Sequence, residues 1–431
     1  MSDAGRRFWV ETLGCPKNQV DSDKLVGTLL ADGLSPAESA ESADLVVVNT
    51  CAFIEDARRE SIDVILGLDE RRRTDSRLVV TGCMAERYGN ELAEALPEVD
   101  LVAGFGVPLQ STRKTIPVSS IPVSSTPVPE LDLLNLPRPR SSSPWAYVKI
   151  AEGCDRNCGF CAIPTFRGPQ RSRDVDSILR EVSEVGAREI VLVAQDLASY
   201  GKDRPDELGA GSIVPLVRKV AAEVDRVRLL YLYPSDLSDD LIEAILDSGV
   251  PYFDLSLQHV SKPLLRRMRR WGDGERFLTR IADIRRRDPE AVFRSNFIVG
   301  YPGETEADHE QLLDFVEAAR LDWCGFFAYS PEEGTHAVDL DGRVDESLMR
   351  ERLAELGEIQ DRITAEKRDE LIGREIDVMI DEPGEARSHR EAPEIDGIVE
   401  VPGDLEVGTF QRVIVTGALG PDLVATPVGK V

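Results

Sequence analysis

Three runs near the start of the chain share one pattern, a mostly apolar stretch that closes on a cysteine. FWVETLGC ends at Cys15, ADLVVVNTC at Cys51 and SRLVVTGC at Cys83. Such runs predict buried strands, and residues near 22–32 and 54–72 carry helical spacing between them. Strand–helix alternation predicts a parallel α/β sheet over residues 1–106. All three cysteines then fall just beyond strand carboxyl ends, the edge of an open α/β sheet where ligands bind.

Residues 107–144 break the pattern. They are rich in proline and serine (PVSSIPVSSTPVPE) and predict an extended linker. From Trp145 apolar runs return: WAYVKIAEGC, EIVLVAQD, VRLLYLYP, YFDLSLQH, FRSNFIVGYP and DWCGFFAYS, separated by helical segments. Six such units over residues 145–344 are too few for a closed eight-unit barrel. They predict an open (β/α)6 partial barrel with its functional loops at the strand carboxyl ends. Residues 345–371 predict a charged amphipathic connecting helix. Over 372–431, REIDVMIDE, EIDGIVEVP and FQRVIVTGAL read as short strands between turns, which predicts a small OB-like β-barrel. The fold class expected is therefore a multidomain α/β protein.

Charge narrows the partners. The 431-residue chain carries a net charge of −27, which disfavours nonspecific binding to phosphate backbones and suits a basic macromolecule. It contains no apolar run of about 18 residues to span a membrane, and MSDAGRRFWVETLGCPKN lacks the apolar stretch of a secretory signal. A cytoplasmic protein is expected. In that reducing setting its seven cysteines point to metal binding or catalysis rather than disulfides.

Three of the seven stand together in AEGCDRNCGFC: Cys154, Cys158 and Cys161. Thiolates are the ordinary ligands of iron–sulfur clusters. Three of them leave one iron open, as a catalytic metal site does and a structural one does not. The blander alternative is a zinc knuckle with a remote fourth ligand, but His259, His309, His336 and His389 are all distant in sequence. This C-x3-C-x2-C spacing, with Phe160 before the last cysteine, resembles the radical S-adenosylmethionine (SAM) enzymes. The resemblance implies that the open iron chelates the amino and carboxylate groups of SAM and that reductive cleavage gives a 5′-deoxyadenosyl radical. It also points to further cofactor contacts. Gly300 and Gly303 in FIVGYPGET would admit an adenine-sized ligand, or simply shape a βα turn. Gln258 in DLSLQH would bond the ribose, or be a satisfied core group. Of Arg167, Arg171 and Arg173 in RGPQRSR, one, with Arg171 foremost, would pair with the cofactor carboxylate, the others lying on a solvated loop.

The fold brings Cys15, Cys51 and Cys83 to one sheet edge, where they are expected to hold a second cluster with an open iron. Cys324, inside DWCGFF, is expected in the core. The combination resembles the methylthiotransferase family: an N-terminal cluster domain, a radical SAM barrel and a C-terminal TRAM domain. LGCPKNQVDSD, NTCAFIEDARRES, GCMAERY, LYP and APEIDG are most similar to its RimO branch. The cluster loop departs from that branch at Gly159, where threonine is common. The resemblance implies two [4Fe–4S] clusters and two uses of SAM. One molecule methylates sulfur at the N-terminal cluster. The other yields the radical that takes hydrogen from the β-carbon of an aspartate in ribosomal protein S-twelve. It also implies a cellular one-electron reductant as partner.

Two other readings remain. A tRNA methylthiotransferase acting on N6-modified adenosine would share every cysteine, and direct RNA binding stays open. An RNA-binding C-terminal domain should be basic, however, whereas residues 372–431 hold 12 acidic and 5 basic side chains. Glu375, Asp377, Asp381, Glu382, Glu391, Glu394 and Asp396 lie in one stretch of it. The basic RRMRRW (Arg266 to Trp271) is expected to be a solvated helix face. An iron–sulfur electron-transfer protein would ordinarily ligate every iron with protein thiolates, which two incomplete triads do not do.

Overall fold

The structure, a computed structural model, describes residues 5–109, 132–208 and 213–429, so most of the linker expected over 107–144 lies outside the described residues. The chain divides into two compact units. The first runs to Arg140 and includes Lys149–Asp155 and Cys161–Arg173. The second takes Ser141–Val148, Arg156–Phe160 and everything from Asp174 onward.

In the first unit, β1 (Arg7–Thr12), β2 (Ser35–Pro36), β3 (Leu45–Thr50), β4 (Arg77–Gly82) and β5 (Leu101–Val102) form one parallel sheet in the order β2-β1-β3-β4-β5. Helices α1 (Pro16–Ala31), α2 (Glu55–Arg71) and α3 (Cys83–Ala95) lie in the connections. Every residue of β3 is buried, because successive side chains enter cores on opposite faces. Val46 and Val48 pack with Leu78, Val80, Ile65 and Met84, whereas Leu45 and Val47 pack with Val79, Leu25, Leu29 and Leu101.

The second unit takes in β6 (Trp145–Lys149) as far as Val148, while Lys149 belongs to the first unit. The antiparallel pair β7 (Ala151–Glu152) and β8 (Arg171–Ser172) and the short α4 (Ile163–Arg167) follow it in sequence but belong to the first unit. The barrel continues with β9 (Glu189–Val193), β10 (Arg226–Leu229), β11 (Tyr252–Gln258), β12 (Val292–Val299) and β13 (Trp323–Ala328). These strands form the sheets β10-β9-β6 and β11-β12-β13, joined where Leu232 bridges Leu255 in parallel. Six strands in chain order make the open partial barrel that the sequence predicts. Helices α5 (Val175–Val185), α6 (Pro205–Leu208), α7 (Ile213–Ala221), α8 (Asp239–Leu246), α9 (Lys262–Arg267), α10 (Gly274–Arg287) and α11 (Glu306–Ala319) fill the connections. Cys324 is half-buried rather than in the core. It lies on β13, the terminal strand of its sheet, whose last residues Phe327 and Ala328 are exposed.

The connecting helix is α12 (Glu346–Asp369). It leads to a closed five-stranded barrel of β14 (Glu375–Glu382), β15 (Glu385–Arg387), β16 (Val399–Glu400), β17 (Phe410–Leu419) and β18 (Asp422–Pro427), ordered β14-β15-β16-β18-β17. Two of these strands, β15 and β18, escape the sequence reading. β15 has three residues, and β18 buries only Leu423 and Ala425.

This small barrel docks on the residues that begin the large barrel's strands. Tyr147 donates to the Pro393 carbonyl at 2.8 Å, and the Trp323 indole donates to the Arg390 carbonyl at 2.7 Å. Glu189, on β9, accepts from Arg228 at 2.8 Å and from Arg387 of the small barrel at 3.3 Å. Burial opposes ionisation of Glu189, but Arg387, Arg228 and Arg226 hold its pKa down at about 2. The expected acidic surface is therefore partly an interior feature. Asp381 pairs with Arg387, Glu391 with Arg368 at 2.6 Å, and Asp396 with Tyr252 and Arg294, all with side chains largely buried. Glu375 and Asp377 share Arg412 across β14 and β17. Glu382 and Glu394 are exposed.

Removing one partner of a buried ion pair strands the other charge. Glu189→Gln is accordingly expected to lower unfolding free energy by about 3–5 kcal/mol in urea denaturation at neutral pH. A loss within experimental error would contradict this account of the docking.

Candidate metal centres

β1, β3 and β4 are neighbours in the first sheet, and a cysteine follows each. After β1 the chain turns at Gly14 (φ +98°), where a Cβ would lie 2.8 Å from the Cys51 Cβ and 3.0 Å from its Sγ. Cys15 then caps α1, with Pro16 in the first turn. After β4 the chain turns at Gly82 (φ +92°), where a Cβ would strike the Thr50 backbone at 2.6 Å, and Cys83 opens α3. Both glycines keep positive φ and leave room for a neighbouring cysteine or strand end.

Polar side chains that sequence reasoning missed pin these strand ends. The Asn18 amide donates to the Leu13 carbonyl at 2.9 Å and to the Thr50 carbonyl at 3.1 Å. The Asn49 amide donates to the Asn18 carbonyl at 2.9 Å, and the Thr50 hydroxyl to the Thr81 carbonyl at 2.6 Å. Each is buried, so each bond is costly to lose. Their only sequence signal is an asparagine near each of two cysteines, in CPKN and NTC.

Cys51 feels both of the other thiols, and Cys83 feels Cys15. Burial pushes Cys51 up to about 12, and the neighbouring Cys15 and Cys83 add to the rise. Burial also raises Cys83, against the pull of Arg167. At Cys15 burial is outweighed by Lys17, the Asn18 N–H and Arg167, and the thiol is held below its ordinary value. Such a set ionises together only when a cation compensates it, and metal uptake then releases protons. Among the described residues no three His, Cys, Asp or Glu side chains converge as the ligands of one metal ion would. A cubane asks something different, since its three thiolates bind three separate irons. Three thiolates are the donor set such a cluster takes.

The second cysteine loop is shaped by Gly153 (φ +79°), where any Cβ would collide with the Pro169 carbonyl. The Cys154 N–H donates to the Gly168 carbonyl at 3.1 Å. Pairing of Ala151 with Ser172 and of Glu152 with Arg171 closes the base of this segment. In the second unit, Arg270 donates to the Cys158 Sγ at 3.2 Å, and the Gly159 N–H donates to the Met268 carbonyl at 2.8 Å. Arg270 and Met268 belong to RRMRRW, expected to be a solvated face. Arg270 is instead buried against the Tyr233 ring, 4.3 Å from its centroid. On the same ring lies Arg156, at 3.9 Å, which also pairs with Asp196 and Asp236 beyond β9 and β10.

Family comparison divides the chain the same way. Residues 7–104 match an uncharacterized protein family, UPF0004, residues 148–316 the radical SAM superfamily, and residues 372–428 the TRAM domain. Proteins named ribosomal protein uS12 methylthiotransferase RimO align along nearly the whole chain. The one from Saccharopolyspora erythraea is 40% identical, covering 99% of this chain and 96% of the relative. The one from a Nocardioides species is 41% identical over 97% and 96%, and that of Moorella thermoacetica 42% over 92% and 93%. The chain belongs to the RimO family of radical SAM methylthiotransferases. It is an enzyme whose cofactors are SAM and [4Fe–4S] clusters.

Within that family frame the structure redistributes the other expected contacts. Phe160 is half-buried. Gln258 is half-buried at the end of β11 with φ +69°, beside a register shift, and its side chain has no hydrogen bond among the described residues. A non-glycine residue held there is strained, as residues at functional sites often are. Gly300 makes room for the protein itself, since the Met349 side chain occupies its Cβ position. Gly303 likewise faces Arg267, at 2.9 Å. Arg171 is engaged by Asp132 through two bonds of 2.9 and 2.8 Å. Arg167 and Arg173, expected on a solvated loop, are both buried. At Gly159 a Cβ would lie 2.6 Å from the Tyr301 hydroxyl, so this chain's departure from threonine goes with a close tyrosine.

Gly153→Ala tests the loop geometry. The variant is expected to hold about four irons where the parent holds about eight, the content of two four-iron clusters, with far-UV circular dichroism unchanged. Full iron content in the variant would show that the turn is dispensable.

Proposed function

We propose that this enzyme methylthiolates the β-carbon of an aspartate in ribosomal protein uS12. Cys154, Cys158 and Cys161 hold the cluster that binds SAM, and Cys15, Cys51 and Cys83 hold the second. The observation that carries this reading is the gathering of three cysteines at adjacent strand ends of one parallel sheet, in a chain that also has the C-x3-C-x2-C loop.

Bound SAM and the clusters would supply the C–H activation and the methyl group, chemistry outside the range of acid–base side chains. The protein's residues do the positioning. Gly14 and Gly82 let the strand ends approach, Asn18 and Asn49 fix them, and burial of Cys51 and Cys83 keeps water from the sulfurs. Arg270 holds the Cys158 sulfur from one side, and Met268 fixes the peptide of Gly159. Phe160 and Gln258 are the remaining candidates to contact SAM.

The protein substrate is supported by the names of relatives aligned over nearly full length. The exposed Glu382 and Glu394 suit a basic protein better than RNA. A cytoplasmic one-electron reductant completes the reading.

Mass spectrometry of ribosomal proteins and tRNA nucleosides from cells with and without the gene separates the substrates. A methylthiolated uS12 aspartate that disappears with the gene is expected, with tRNA unchanged. Loss of methylthioadenosine from tRNA, with uS12 unmodified throughout, would move the enzyme to an RNA substrate.

A further inference from the structure

Arg167 ends α4, six residues beyond Cys161, yet its guanidinium serves the N-terminal cysteines of the same unit. Nη2 donates to the Cys83 Sγ at 3.0 Å and to the Asn18 Oδ1 at 2.8 Å. Nη1 faces the Asp21 carboxylate at 3.0 Å and the Glu152 carboxylate at 3.0 and 3.1 Å. The Phe105 ring lies 4.2 Å from its Cζ, and the side chain is 3% exposed. Lys149, itself buried, bonds both Asp21 and Glu152. The two cations thus balance the two carboxylates without any sulfur. An arginine kept only for an ion pair would need no thiol, whereas this one directs one arm of its fork at a cysteine sulfur.

We propose that Arg167 is a positioning residue for the second cluster: by donating to the Cys83 sulfur it raises that cluster's reduction potential. The proposal rests on the assignment of Cys15, Cys51 and Cys83 as ligands. Reduction adds one electron to the cluster with no bond made or broken. A hydrogen bond to a ligand sulfur and a nearby positive charge both favour the more negative state. Loss of Arg167 also leaves Asp21 and Glu152 with Lys149 alone, a net −1 beside the cluster, which acts in the same direction.

The test uses the full chain with Cys154, Cys158 and Cys161 replaced by alanine, reconstituted with iron and sulfide so that only the N-terminal site is filled. Dithionite titration followed by electron paramagnetic resonance gives the midpoint potential with Arg167 intact, Arg167→Lys and Arg167→Gln. The glutamine variant is expected to shift to more negative potential by about tenfold in the reduced-to-oxidised ratio, roughly 59 mV for a one-electron couple. Lysine, which keeps the charge but not the fork, should fall between. Equal midpoints for arginine and glutamine would overturn the proposal. If glutamine prevents cluster loading, a lysine midpoint equal to that of arginine would overturn it instead. Failure of the Arg167-intact chain to take up iron would overturn the ligand assignment and the proposal with it.

Discussion

Three thiols set at the carboxyl ends of adjacent parallel strands repel one another once ionised, and the first unit is organised around that repulsion. The parallel sheet fixes their spacing, because β1, β3 and β4 are hydrogen-bonded neighbours in register. Glycines with positive φ let the strand ends close in, and buried asparagines bind the ends to one another. Positive charge is supplied locally, by Lys17 at Cys15 and by Arg167 at Cys83. The remaining opposition to ionisation is what a cationic iron core would relieve. The same arrangement without metal holds thiols whose protons are hard to remove, as at Cys51.

The second unit handles buried charge differently. Its small C-terminal barrel meets the amino-terminal ends of the large barrel's strands through complete ion pairs, with Glu189 between Arg228 and Arg387 as the centre. In a barrel of parallel strands those ends serve stability, and the opposite ends carry the chemistry. Arg156, Asp196 and Asp236 follow this division, since they lie on loops beyond strand carboxyl ends. Of the acidic residues that count against an RNA-binding domain, Asp381, Glu391 and Asp396 are parts of the internal joint.

Much of this was legible in the chain because the signals are local. An apolar run ending in cysteine marks a strand and its carboxyl end together, and three such runs place three thiols on one edge. The same logic located all six barrel strands. What escaped depends on residues far apart in sequence. Nothing local distinguishes Arg167 from its neighbours Arg171 and Arg173, yet it reaches Cys83, whereas Arg171 is bound to Asp132. Within RRMRRW, a run of charges reads as solvated, and only the fold turns Arg270 inward to Cys158 and Tyr233. A glycine pair likewise reads as space for a ligand until Met349 and Arg267 are seen beside Gly300 and Gly303.

If Cys154, Cys158 and Cys161 serve the cleavage of SAM and Cys15, Cys51 and Cys83 the sulfur transfer, one variant separates the two sets. Replacing Cys15, Cys51 and Cys83 together with alanine should leave a chain that, once reconstituted and supplied with a reductant, still cleaves SAM to 5′-deoxyadenosine. That chain should form no methylthiolated uS12. Methylthiolated product formed at the parent rate would contradict the account and reduce the N-terminal cysteines to a structural feature.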